Sequence, residues 1–264
     1  MAYLRNYNFK DSIMTKIFLN NTGRGAFLFS LFLNVIFLLL LYYIGIVKTN
    51  YICNKLQVVG LMTIDERKRD DYWCIQGWNN TLEKLHFTAD VVFFGNSITY
   101  GGQFDREFPN IKIINLGYPG DTTDGMLLRV TQIKAVHPKK VFIMAGLNGL
   151  HFQSVEVFSE KYSTLIDSIK MAVPSAEIYL QSILPVNPNK NLGKCLKNKT
   201  NKIIDCNAVI QRLSKEKNCK YIDLYSIYEN NGIMPENFTI DGFHLYPSAY
   251  RLWYKELKKY IGSK

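Results

Sequence analysis

No Cys-x-x-Cys pair and no cysteine–histidine cluster occurs in this chain of 264 residues, and its four histidines, His86, His137, His151 and His244, are scattered. Structural zinc, which needs closely spaced nitrogen or sulfur ligands, is therefore not expected. Internal repeats and low-complexity tracts are also lacking, which excludes solenoids and arrays. Acidic residues are in the minority, 22 against 32 Lys and Arg, for a formal charge of +10. The lysines are spread along the chain without a recognition motif or an aromatic-basic interleave, so no nucleic-acid partner is expected. Their densest cluster, Lys190, Lys194, Lys197, Lys199 and Lys202, reads first as a solvated face. Attraction to anionic lipid headgroups or to an acidic polysaccharide is the second reading.

Cysteines are few: Cys53, Cys74, Cys195, Cys206 and Cys219. Cys53 with Cys74 and Cys195 with Cys206 lie close enough in sequence to pair in an oxidising compartment; five free thiols is the equally weighted alternative.

Charge is absent from Ala26 to Val47, where Asn34 is the one strongly polar residue. As a helix this run extends about 33 Å, enough to cross a bilayer core. A cleaved signal peptide predicts a shorter apolar region and a small-x-small cleavage site, whereas this run exits through Tyr42, Tyr43 and Lys48, so it is read as an uncleaved anchor. Arg5, Lys10, Lys16 and Arg24 precede it and only Lys48 and Lys55 follow closely. That bias places the N-terminus in the cytoplasm and the larger part of the chain on the exoplasmic side. The organisation expected is a cytoplasmic segment (1–25), a single-pass transmembrane anchor (26–47), a connector (48–88) and one globular domain (89–264).

Within that domain, short β-branched and aromatic runs at Asp90–Phe94, Lys112–Leu116, Lys140–Ala145, Glu177–Ile183 and Tyr221–Leu224 read as buried strands. Helical periodicity fills the intervals at Asp124–Val136, Val155–Ala172 and Thr200–Lys217, and Pro247–Ile261 closes the chain. Alternation of this kind predicts an α/β fold with a parallel sheet of about five strands and right-handed crossovers. In such sheets ligands bind beyond the carboxyl ends of the strands. The first three predicted strands end in Gly95-Asn96-Ser97, in Gly117-Tyr118-Pro119-Gly120-Asp121 and in Gly146-Leu147-Asn148. Each is a small, polar, backbone-exposing turn.

Ser97 is thereby delivered to a strand end, where a hydroxyl can face a cleft. Near the C-terminus, Asp241-Gly242-Phe243-His244 can set a carboxylate beside its own imidazole, fixing a proton on one ring nitrogen and leaving the other as a base. Acyl transfer also needs donors for a developing oxyanion, and the Ser97 and Gly120 N–H groups and the Asn148 amide are the candidates.

Taken in order, Gly95-Asn96-Ser97-Ile98-Thr99, Asn115-Leu116-Gly117-Tyr118-Pro119-Gly120-Asp121-Thr122, Gly146-Leu147-Asn148 and Asp241-Gly242-Phe243-His244-Leu245 resemble the four sequence blocks of the SGNH (GDSL-type) hydrolases. The resemblance covers Asp90 to Ile261. It implies a flavodoxin-like α/β/α sandwich and ester hydrolysis without a metal or organic cofactor. It also implies Ser97 as nucleophile, His244 as general base, Asp241 as its orienter, and Ser97, Gly120 and Asn148 as the oxyanion hole. Two positions depart from the family pattern: Asn96 stands where an aspartate is usual, and Gly149 where the third block usually has an acid. An α/β-hydrolase elbow, Gly-x-Ser-x-Gly, is disfavoured because Thr99 occupies its second glycine.

For substrate, the resemblance spans several ester classes. Removal of O-acetyl groups from carbohydrate is the leading expectation, since no long apolar segment near the motifs suggests an acyl-chain tunnel. A lysophospholipase or acyl thioesterase, and a non-catalytic glycan-binding module, are the alternatives. The expected partners are the ester substrate and, through the N-terminal helix, the membrane.

Overall fold

The structure, a computed structural model, describes residues 30–38 and 81–262. The chain divides into two compact units, Met1–Met62 and Thr63–Lys264. In the first, residues 30–38 are helical. Among the described residues no helix is long and apolar enough to cross a membrane. Most of the predicted anchor, the whole segment 1–25 and the connector up to residue 80 lie outside the described residues. So do Cys53 and Cys74.

In the second unit, five strands form one parallel sheet in the order β2-β1-β3-β4-β5. They are β1 (Val91–Gly95), β2 (Ile113–Gly117), β3 (Lys140–Met144), β4 (Glu177–Gln181) and β5 (Lys220–Ile222). This is the flavodoxin-like order, and its reversal point, where β1 sends the chain one way to β2 and the other way to β3, opens a crevice at the strands' carboxyl ends.

The helices are α1 (Ser97–Tyr100), α2 (Phe104–Glu107), α3 (Thr123–Leu128), α4 (Val130–Val136), α5 (Val155–Ala172), α6 (Thr200–Glu216), α7 (Tyr225–Tyr228) and α8 (Tyr250–Ile261). α5 packs against α3, α4 and α6. Alternation along the strands sends every second side chain to the opposite face. In register across β1, β3 and β4, Phe93, Phe142 and Tyr179 stack with ring centroids 5.0 and 4.4 Å apart. Phe93 also stacks on Phe104 of α2, which meets Trp253 of α8 edge-on. Trp253 in turn donates its indole N–H to the Gln181 side-chain oxygen at 2.7 Å, so a buried polar pair fixes α8 on the sheet. Leu82, on the short helical stretch 81–84 within the predicted connector, joins this core.

Two predicted helices differ in outline. The run Asp124–Val136 is two helices broken at Arg129, whose backbone leaves the helical region (φ −117°, ψ 18°). The last helix begins at Tyr250, with Pro247 in the preceding turn. The Cys195–Cys206 pairing does not form: both are free thiols, one exposed and one buried in α6, and Cys219 is free as well.

Candidate active site

β1 ends at Gly95, and Asn96 caps the short α1, its side-chain oxygen accepting the Ile98 N–H at 3.0 Å. Ser97 is therefore the first residue of that helix. Its own N–H has no hydrogen-bond partner among the described residues. Asn96 is almost fully buried, at 1% exposure. An amide at this position caps the helix as a carboxylate would, without placing a charge in the interior that must be paired.

From the far end of the chain, the Asp241–His244 turn reaches the same place. His244 Nε2 lies 2.8 Å from Ser97 Oγ, and His244 Nδ1 lies 2.6 Å from Asp241 Oδ2. The other carboxylate oxygen, Oδ1, accepts the N–H groups of Phe243 and His244 at 3.0 and 2.9 Å. Burial pushes the Asp241 carboxyl up, but the hydrogen bonds from the His244 ring and from the His244 and Phe243 backbone outweigh it. They hold it below the ordinary carboxylate range. An ionised Asp241 keeps the imidazole proton on Nδ1, which turns the Nε2 lone pair toward the serine hydroxyl.

The turn itself is held from below. Buried Thr239 accepts the Gly242 N–H and donates to the His244 carbonyl, both at 2.9 Å. Gly242 has φ +105°, and a β-carbon there would come within 2.7 Å of the Asn187 carbonyl and the Gly193 nitrogen. No larger residue fits this tight approach. Asn187 donates its N–H to the Gly242 carbonyl at 3.0 Å and its side-chain amide to the Met234 carbonyl at 2.7 Å. The segment Gln181–Asn187 thus braces the turn from a buried position.

On the other side of Ser97, β2 lies next to β1 with Gly117 opposite Gly95, and the Tyr118 N–H donates to the Gly95 carbonyl at 2.9 Å. Asn115 ties this strand to α1 and the loop after it, donating to the Thr99 and Gly102 carbonyls, both at 2.9 Å. Gly120 follows at φ +75° with open space where a β-carbon would project, and its N–H has no partner among the described residues. Asn148 lies in the 3₁₀ turn Leu147–Gly149 after β3 and donates one amide hydrogen to the Asp121 carbonyl at 2.8 Å. Its second amide hydrogen has no partner among the described residues.

Arg129 organises this side and has no precedent among the motif residues. Only 2% exposed, its guanidinium binds the equally buried Asp121 carboxylate at 2.6 Å, the Leu116 carbonyl at 2.6 Å and the Gly95 carbonyl at 2.9 Å. It also lies 4.2 Å from the centroid of the Phe94 ring. One cation thus fastens the ends of β1 and β2 to the Gly120–Asp121 turn. The break between α3 and α4 is what lets residue 129 turn inward.

Ser97, His244 and Asp241 therefore form one hydrogen-bonded line, with Gly120 and Asn148 on the adjoining strand ends. Such an array can activate a hydroxyl and offer uncharged donors to an oxyanion. Where the family has its second acid, Gly149 has the Gln153 side chain packed beside it.

The profile of the GDSL-like Lipase/Acylhydrolase family matches residues 93–252. Among curated proteins no sequence matches the chain. Solved structures share the fold. A Streptococcus pneumonia protein named as a platelet activating factor is 23% identical, with a TM-score of 0.66, covering 74% of this chain and 94% of its own. A GDSL-like lipase from Bacteroides thetaiotaomicron is 23% identical (TM-score 0.61; 72% of this chain and 97% of that one). A variant acetyl-xylooligosaccharide esterase from Geobacillus is 16% identical (TM-score 0.53; 68% and 97%). The chain belongs to the GDSL-like lipase/acylhydrolase family and is an ester-hydrolysing enzyme of the SGNH type.

Proposed function

We propose that Ser97 is the nucleophile of a serine esterase that removes acetyl groups from carbohydrate. The observation that carries the catalytic part is the unbroken contact from Ser97 Oγ to His244 Nε2, at 2.8 Å, and from His244 Nδ1 to Asp241, at 2.6 Å. As Oγ bonds to the ester carbon, its proton passes to His244 Nε2. The carbonyl oxygen becomes an oxyanion held by the Ser97 and Gly120 N–H groups and by the free amide hydrogen of Asn148. Collapse breaks the ester C–O bond, and the departing alcohol takes the proton from His244. Water then gives a proton to the same nitrogen as it attacks the acyl-serine; the acyl–Oγ bond breaks, Oγ takes the proton back from His244, and the acid is released with Ser97 restored.

Acetyl esters of carbohydrate fit a cleft built from short polar turns, and one protein of the same fold is an acetyl-xylooligosaccharide esterase. The apolar run 26–47 and the basic residues before it support a single-pass anchor with the catalytic domain on the exoplasmic side.

The test is hydrolysis of p-nitrophenyl acetate, followed by a screen of acetylated xylooligosaccharides, lysophospholipids and acyl thioesters. Ser97→Ala is expected to be inactive and folded, and the sugar acetates are expected to be preferred. Wild-type turnover by Ser97→Ala overturns the catalytic assignment; preference for lysophospholipid or thioester overturns the substrate. Resistance of the full chain to alkaline carbonate extraction tests the anchor, and its release into the supernatant contradicts it.

A further inference from the structure

From Asn187 to Lys202 the chain carries Lys190, Lys194, Lys197, Lys199 and Lys202 and no Asp or Glu. This segment touches both halves of the active site. At one end the N–H groups of Leu192 and Gly193 both donate to the Asp241 carbonyl, at 2.9 and 3.2 Å. At the other, Lys202 Nζ donates to the Leu150 carbonyl at 2.7 Å, two residues beyond Asn148. The lysines therefore stand on an arch tied at one end to the Asp241–His244 turn and at the other to the chain just after the Asn148 turn.

Their charge is little neutralised. Among the described residues, Lys190 alone of the five has a carboxylate within ion-pair distance, Glu236 at 3.3 Å. Glu156 acts on Lys202 only from a distance. The uncompensated field reaches His151, beside the Asn148 turn: burial first, and then the charges of Lys199 and Lys202, hold its imidazole below the usual value. A patch of one sign beside a site concentrates and orients ligands of the opposite sign.

Resting on the esterase reading above, we propose that this lysine arch binds an anionic group on the alcohol side of the ester, so that the preferred substrate is an acetyl ester of an acidic carbohydrate. The alcohol side is the one that extends out of the cleft when the acyl group is small. Carbohydrate is favoured over a lipid surface by what lies between the lysines. Asn189, Asn191, Asn198 and Asn201 offer amides to hydroxyl groups. Leu192 is the one large apolar side chain exposed on the segment, whereas lipid surfaces are bound by contiguous apolar faces.

The test compares kcat/KM for 4-acetoxybenzenesulfonate and its neutral sulfonamide analogue. The wild type is expected to favour the anion by about tenfold at low salt, and the preference to collapse at high salt. Charge reversal of two exposed lysines on the arch, Lys194→Glu with Lys197→Glu, is expected to remove it. Lys134→Glu with Lys215→Glu makes the same change in net charge on exposed residues elsewhere and is expected to keep it. An equal ratio in wild type and arch variant, or an equal loss in the control variant, overturns the proposal.

Calorimetric binding of trigalacturonate to Ser97→Ala supplies a readout independent of turnover. Binding that is lost in the arch variant supports the arch even if Ser97 proves not to be the nucleophile, and no binding by the folded protein overturns it. Co-sedimentation with phosphatidylglycerol vesicles, abolished by arch charge reversal in a protein that ignores trigalacturonate, assigns the lysines to a lipid surface and likewise overturns the proposal.

Discussion

The two sides of the candidate active site are built by opposite means. On the base side, Asp241 and His244 are three residues apart, and the carboxylate binds both the ring and the backbone of its own turn. On the donor side, Gly120 and Asn148 come from different strand ends, and a buried Arg129–Asp121 pair fastens the first of these to β1 and β2. A local motif orients itself once its turn closes. A dispersed one needs an internal tie, and here the tie is a charge that is costly to bury and more costly to leave unpaired.

Substitutions on each side should break the site in different ways. Asp241→Asn should have the largest effect on turnover, a fall in kcat of roughly 10⁴ with the fold retained, because the amide no longer imposes the Nδ1–H tautomer. Steady-state kinetics beside circular dichroism checks this; near-wild-type kcat would remove Asp241 from the role. Arg129→Met should instead act through stability, costing about 3–5 kcal/mol by stranding the Asp121 carboxylate. For a domain of this size that lowers Tm by roughly 10 °C, readable by calorimetry. An unchanged Tm would mean that the pair ties nothing.

Asn148→Ala should lower kcat by about 10²–10³ while KM changes little, since the lost donor serves the oxyanion more than the bound ester. A rise in KM at constant kcat would make it a ground-state contact. The smallest effect concerns pH. The Asp241 carboxyl is held below its ordinary range, so its contribution to stability is fully present above that range and is lost as pH falls through the lowered value. The stability gap between wild type and Asp241→Asn should therefore be flat near neutrality and close only in strong acid. A gap that closes between pH 7 and 5 would contradict the depressed carboxyl.

The same contrast decides what could be read from the chain. The strand ends bearing Ser97, Gly120 and Asn148 were legible because β-branched runs stop at glycine-marked turns. α5 was legible to the residue because its apolar periodicity is undisturbed from Val155 to Ala172. Asp241 and His244 were legible because three residues separate them. Arg129 was not: within Asp124–Val136 it looks like one more solvated cation. Its burial becomes visible only when Asp121 and the carbonyls of Gly95 and Leu116 converge on it from separate elements. The lysine cluster was plain as a count, but its ties to the Asp241 and Leu150 carbonyls are contacts that no periodicity encodes.

Fluorophosphonate labelling followed by peptide mapping tests the central claim most directly, because the probe reacts only with a hydroxyl that a neighbouring base has activated. The account predicts one adduct, on Ser97, absent from Ser97→Ala and strongly slowed in His244→Ala. A folded wild-type protein that takes no label, or takes it on another residue, would contradict it.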